Sequence, residues 1–237
     1  MAKECGNSHE TLFCYPFASF CPVLRSLLDI DRTKRIVWRV LAIAISSLRG
    51  IRVSQDRDRS SLFIPASTED RIQGVLSASV VLVMYGDYQC SECANLYRLI
   101  KAIRRQLSIS FGENYLCFIF RHFPQTQIHS HAQRAAQAAQ AAAAQGQFWQ
   151  MHDILFAHQQ ELENGYLVEY ANDLGLNISQ FLKELSKQVH VARIDEDIES
   201  GLHSGITVAP ALFINEIRYT GRWNNTQLTA AIVTASY

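Results

Sequence analysis

Cys90 and Cys93 enclose Ser91 and Glu92, and two thiols at that spacing can close a small disulfide ring and reopen it by thiol exchange. The reactive form in such chemistry is the thiolate, so what surrounds the first cysteine decides whether the pair is useful. Ahead of the pair lies the apolar run Ser79 to Tyr85, and behind it the helix-patterned stretch Ala94 to Leu107. A strand-to-helix hinge of this kind puts Cys90 at the turn and Cys93 in the first helical turn. There the unpaired backbone N–H groups and the positive end of the helix dipole favour a thiolate at Cys90.

The elements that must position the pair can be read from pattern. Ser79 to Tyr85 is continuously apolar and rich in β-branched residues, as a strand covered on both faces should be, and Gly86-Asp87 breaks it. Leu96, Leu99, Ile100, Ile103 and Leu107 recur at helical spacing, with Lys101, Arg104 and Arg105 at other positions. A second buried strand is predicted at Tyr115 to Phe120, which makes a right-handed parallel strand–helix–strand unit. Helices are predicted over His129 to Gln145, Gln147 to Gln159, Tyr166 to Leu174 and Ser179 to about His203, punctuated by Gly146, Gly165, Gly175 and Gly205. The alanines of the first of these suit a buried helix packed close to its neighbours. Ala211 to Tyr219 reads as two strands around a tight turn at Asn215-Glu216, and a short helix starts at Asn225.

Composition narrows the function classes. The 237 residues carry 22 Lys plus Arg against 22 Asp plus Glu, a balance that argues against a dedicated nucleic-acid binder. Hydrophobic content of 48% with 19% charged residues is that of a globular chain. No stretch reaches the roughly 18 uninterrupted apolar residues of a membrane span. Six cysteines are too few in this length to make a disulfide scaffold.

Residues 1–68 read differently from the remainder. The apolar stretch Leu12 to Leu24 follows a segment with two Glu and one Lys and so lacks the basic flank of an export signal. A cytoplasmic placement is therefore favoured, with the periplasm or another oxidising compartment as the alternative. Ile36 to Leu48 reads as a helix, docked on its own domain or loosely ordered rather than lying on a membrane, and Arg49 to Ser61 has linker composition. Cys5, Cys14 and Cys21 fit no zinc spacing and read as unpaired thiols, with a Cys14–Cys21 disulfide as the alternative.

The hinge dithiol, the block Phe120 to Pro124 (FRHFP), the run Ile128 to Ala136 (IHSHAQRAA), the helix Phe148 to Phe156 (FWQMHDILF) and Val208 to Asn215 (VAPALFIN), in that order, resemble the DsbA-like branch of the thioredoxin superfamily. The resemblance covers Glu69 to Tyr237. It implies an α/β thioredoxin fold with an inserted helical subdomain at about 129–205, plus the N-terminal extension of residues 1–68. It further implies a protein-disulfide oxidoreductase without a cofactor, with Cys90 as surface nucleophile, Cys93 as resolving thiol and Pro210 as the cis-proline facing them. Substrate would pair along the backbone at Ala209 and Pro210. Protein thiols or disulfides would be the substrates, and a redox partner protein or a small thiol would recycle the pair.

Three positions depart from the family pattern. Ser91-Glu92 stands where oxidising members carry Pro and an aromatic or His, and the Glu92 carboxylate should oppose the thiolate and make a weaker oxidant. Met84 stands where the family places a buried acid that handles the resolving thiol's proton. Asp87 is the nearest carboxylate in sequence and reads as a turn residue, with proton transfer or tuning as its functional alternative. Ala209 is smaller than the Thr or Val common before the proline.

A metal site is the rival chemistry, but no second cysteine pair accompanies His122, His129, His131, His152 and His158, so none is expected. Cys117, mid-strand among aromatics, reads as a buried inert thiol. The rival function is a binding or adaptor module with little redox activity. Two retained thiols weigh against it.

Overall fold

The computed structural model describes residues 61–237; the helix, linker and thiols read in residues 1–60 lie outside them. Strands β1 (Arg71–Gln73), β2 (Val80–Gly86), β3 (Leu116–His122), β4 (Ala211–Ile214) and β5 (Ile217–Arg218) form one sheet in the order β1-β3-β2-β4-β5. Strands β2 and β3 are parallel, with Val80 opposite Leu116 and Gly86 opposite His122, and the other pairings are antiparallel. The parallel pair is bridged by helix α1 (Ser91–Phe111), the crossover that the sequence pattern predicts. Helix α1 runs four residues past the last periodic leucine, to Gly112, whose φ of 96° suits glycine.

Between β3 and β4 the chain forms α2 (Ala132–Ala143), α3 (Phe148–Ala157), α4 (Asn164–Asp173), α5 (Ile178–Ser186) and α6 (Val191–His203), and α7 (Asn225–Thr234) closes it. One sheet with five helices between β3 and β4 is the α/β architecture that the sequence resemblance implies. The alanines of α2 are buried, so this low-complexity segment is a tightly packed helix. No described helix is long and apolar enough to cross a membrane.

Two expectations are corrected, and one strand is added. The single helix read over Ser179–His203 is two, because the chain turns at Lys187–His190 with Gln188 at φ 52°. No Gly or Pro marks that break. The helix expected from His129 begins at Ala132, since residues 125–131 form turns closed by Ile128 N–H to Gln125 O (3.0 Å) and Ala132 N–H to His129 O (3.3 Å). Strand β1 was not anticipated; three half-buried residues carry too little pattern to read.

Packing then fixes how the helical layer meets the sheet. Gly201 lets α6 lie against β2, since a Cβ there would stand 2.9 Å from the Phe123 ring and 3.2 Å from that of Tyr85. Arg121 of β3 is buried and donates to both Asp70 oxygens (2.8 and 3.0 Å), to the carbonyls of Ile64 and Pro65, and to the Tyr85 hydroxyl. One guanidinium thus ties residues 64–70 to the sheet. The β4–β5 turn places Asn215 and Glu216 at φ 45° and 67°, and Asn215 also bonds Val81 N–H and Ala235 O through its side chain.

Candidate active site

Helix α1 starts on Cys90, whose extended backbone (φ −81°, ψ 120°) makes it the N-cap and whose sulfur accepts the Cys93 N–H at 3.3 Å. A sulfur in place of the usual cap oxygen receives one of the donors every helix start leaves over. The implied surface nucleophile lies just beneath the surface, at 5% exposure, and Cys93 is fully buried behind it.

The two thiols are driven apart in acidity. Hydrogen bonding from the Cys93 thiol holds the Cys90 thiol below its ordinary range against the penalty of burial; the Cys93 N–H helps, while the Glu92 and Asp87 carboxylates push the other way. Burial first, then hydrogen bonding and charge repulsion from Cys90, push the Cys93 thiol far up. One thiolate shared by the pair therefore rests on Cys90. Glu92 is exposed, accepts the Ser91 hydroxyl at 2.9 Å and stands 3.7 Å from the Cys90 sulfur.

Beneath the pair lies Asp87. Its backbone N–H points at the Cys93 sulfur (3.4 Å), and its carboxylate accepts from Gln89 N–H (2.8 Å), Gln125 N–H (2.7 Å) and His129 Nδ1 (2.8 Å). The bond from Gln89 is the turn role expected of an Asp after Gly86. The burial of the side chain and its link to His129 give no sequence signal, because Asp87 and His129 are 42 residues apart. Met84 is fully buried, so no carboxylate occupies the position where the family pattern has one.

Opposite the sulfur, the Ala209–Pro210 bond is cis, and the Ala209 carbonyl stands 3.8 Å from Cys90 Sγ. The Ala209 N–H donates to the Gln125 side-chain oxygen at 3.2 Å.

Two more residues shape the turn without announcing themselves in sequence. Tyr88 points inward, fully buried, with its hydroxyl 2.7 Å from His152 Nδ1 and its ring against Phe120 and Phe156. Gln159, just past α3, donates to the carbonyls of Tyr88 (2.7 Å) and Cys90 (2.8 Å). The helical layer thereby grips the turn that carries Cys90.

Among the described residues no cluster of His, Cys, Asp and Glu could hold a metal ion. Cys117 is buried, and burial pushes its thiol up to about 11, as an inert thiol requires.

Comparison with known proteins bears on this geometry. The family model described as thioredoxin matches residues 66–233. Among curated proteins, the Na(+)/H(+) antiporter NhaA 3 of Salinispora tropica is 35% identical over 175 residues, which is 73% of this chain and 26% of that protein. NhaA 1 of Mycolicibacterium vanbaalenii is 36% identical over 167 residues, 69% of this chain and 26% of its own. The chain thus spans about a quarter of the length of the curated relatives it matches. Among solved structures, oxidised BdbD from Bacillus subtilis aligns with a TM-score of 0.65 at 19% identity, covering 76% of this chain and 98% of that one. Alpha-DsbA1 from Wolbachia pipientis aligns at 0.62 and 18%, covering 74% and 94%. At these identities the likeness is one of fold.

Proposed function

This chain belongs to the thioredoxin family and has a DsbA-like fold, and on that premise we propose that it is an oxidoreductase exchanging disulfides with protein substrates through Cys90 and Cys93. The observation that carries the reading is the asymmetry of the pair: Cys90 caps α1 and receives the Cys93 N–H, while Cys93 is wholly buried behind it.

In the reducing direction the Cys90 thiolate attacks a substrate disulfide, one substrate sulfur leaves as thiolate, and a mixed disulfide forms. Cys93 then loses its proton and attacks Cys90 Sγ; the Cys90–substrate bond breaks and the second substrate sulfur departs. Two electrons pass to the substrate, and the Cys90–Cys93 disulfide remains. The oxidising direction is the reverse, and a redox partner protein or a small thiol resets the pair. Substrate backbone pairs along Ala209 and Pro210, where the Ala209 carbonyl stands 3.8 Å from the Cys90 sulfur. Because Glu92 opposes the thiolate, the protein is a weaker oxidant than relatives with an uncharged pair.

The test is trapping. Cys93→Ala should accumulate mixed disulfides with an oxidised protein substrate, and Cys90→Ala should abolish both exchange and trapping. If Cys93→Ala traps nothing while native protein also fails to exchange disulfides, the reading is wrong.

The antiporter relatives favour a second reading, a thioredoxin-fold module that binds beside an ion transporter with little turnover. It expects binding to survive Cys90→Ala.

A further inference from the structure

Asp87 presents two opposite influences to Cys93. Its backbone N–H donates toward the Cys93 sulfur at 3.4 Å, which favours a thiolate. Its carboxylate, with no exposure at all, brings a negative charge into the same buried corner, which opposes one. The resolving step needs Cys93 to ionise, and Met84 leaves no other acid in the sheet beneath. What offsets the Asp87 charge is therefore part of the chemistry.

Three donors meet that carboxylate. Two are the backbone N–H groups of Gln89 and Gln125, fixed by the fold. The third is His129 Nδ1 at 2.8 Å, from a side chain 22% exposed, in the turn preceding α2. Among the described residues His129 is the side-chain donor to this carboxylate, and it can be exchanged without touching the backbone.

We propose that His129 is a positioning residue for the resolving step: by donating to Asp87 it draws the carboxylate's charge away from the Cys93 sulfur, so that Cys93 can ionise and attack the mixed disulfide. The inference rests on the thiol-exchange reading. In this step the Cys93 S–H bond breaks and the sulfur's electron pair forms the Cys90–Cys93 bond. The Cys90–substrate bond breaks, and the Cys93 proton ends, through solvent, on the departing substrate sulfur. Charge-assisted hydrogen bonds are the stronger kind, and their loss inside a low-dielectric site is felt by neighbouring ionisations. The direction agrees with the Cys93 thiol, which is raised first by burial and then by Cys90, with the Asp87 N–H lowering it and the Asp87 charge adding to the rise.

The experiment uses the purified full chain and oxidised glutathione, which forms a Cys90–glutathione disulfide for Cys93 to resolve. Acid-quenched mass spectrometry follows that species, and iodoacetamide alkylation follows Cys90 separately. His129→Leu should slow resolution about three- to tenfold, a fraction of the full effect of losing a hydrogen bond to a charged group because His129 acts on Cys93 through Asp87, and leave Cys90 alkylation within about twofold. His129→Gln, whose amide N–H can still reach Asp87, should recover most of the rate. Resolution by His129→Leu at the native rate overturns the proposal, and so does a His129→Gln variant as slow as His129→Leu, which would mean a structural role. A native chain that never forms or resolves the glutathione adduct overturns the thiol-exchange reading itself, and with it this inference. That outcome is distinct from a native chain that resolves and a Leu variant that keeps pace.

Discussion

Cys90 Sγ stands 3.7 Å from the Glu92 carboxylate while accepting the Cys93 N–H at 3.3 Å, so a repelling charge and a stabilising donor meet on one sulfur. Removing the charge should shift the balance toward thiolate. Glu92→Gln is expected to raise the iodoacetamide reactivity of Cys90 at pH 6 about threefold and to make the pair more oxidising, because a more stable thiolate stabilises the reduced form. Alkylation rates across pH and equilibration against glutathione measure both. An unchanged or slower reaction would mean that Glu92 acts through Ser91 rather than through its charge.

Gln125 occupies the Ala209 N–H from its side chain and fastens Asp87 from its backbone. On the thiol-exchange reading, an incoming peptide would displace the first contact and leave the second in place. Gln125→Ala should free the Ala209 N–H and lower the KM for a peptide disulfide about threefold, within the range of one hydrogen bond, with kcat little changed. A raised KM would show that the side chain greets the substrate instead of blocking it.

Arg121 and Asp70 form a buried ion pair whose other donors are also satisfied. Breaking such a pair from one side leaves a charge stranded, at a cost of about 3–5 kcal/mol. Asp70→Ala is expected to lose stability on that scale in urea titration, and the double variant Asp70→Leu/Arg121→Met considerably less.

Acid should loosen the fold. Burial holds the His122 imidazole down to about 3 and keeps His152 well below its ordinary range, so as pH falls through that range the unfolded chain takes up two protons that the folded chain refuses. Asp197 works in the opposite sense: burial raises it to about 6, so the folded chain binds its proton first and gains stability below that pH. Two groups against one leave a net loss of about 1.4 kcal/mol per pH unit between pH 6 and 4. Urea midpoints at pH 7, 6, 5 and 4 trace it, and His122→Gln should flatten the slope. Equal midpoints throughout would show that these imidazoles find partners on protonation.

Much of this architecture could be read from the chain because its signals are local. β2 and β3 are runs of buried residues, the dithiol sits at their crossover helix, and Asn215-Glu216 carries a turn on its face. Where the determinant is tertiary, sequence is silent. The break between α5 and α6 falls on Lys187 to His190, whose residue types suit a helix, and β1 has no alternation to betray it. The site divides in the same way. Cys90, Cys93 and Pro210 have a motif, but Gln125, His129 and Gln159 are ordinary polar residues that matter only for what they reach across 84, 42 and 69 residues of chain.

The inward-pointing Tyr88 has a consequence for when the protein can work at all. Two residues before Cys90, its ring is rooted among Phe120, His152 and Phe156, two of which belong to the helical layer. The chemistry therefore shares its fate with that layer. Should α3 open in a partial unfolding event, the turn would lose its anchor and Gln159 together, and the thiols would fall silent before the sheet itself gave way. On the thiol-exchange reading, redox competence and the integrity of the helices become one cooperative property, present only when the helical layer is complete.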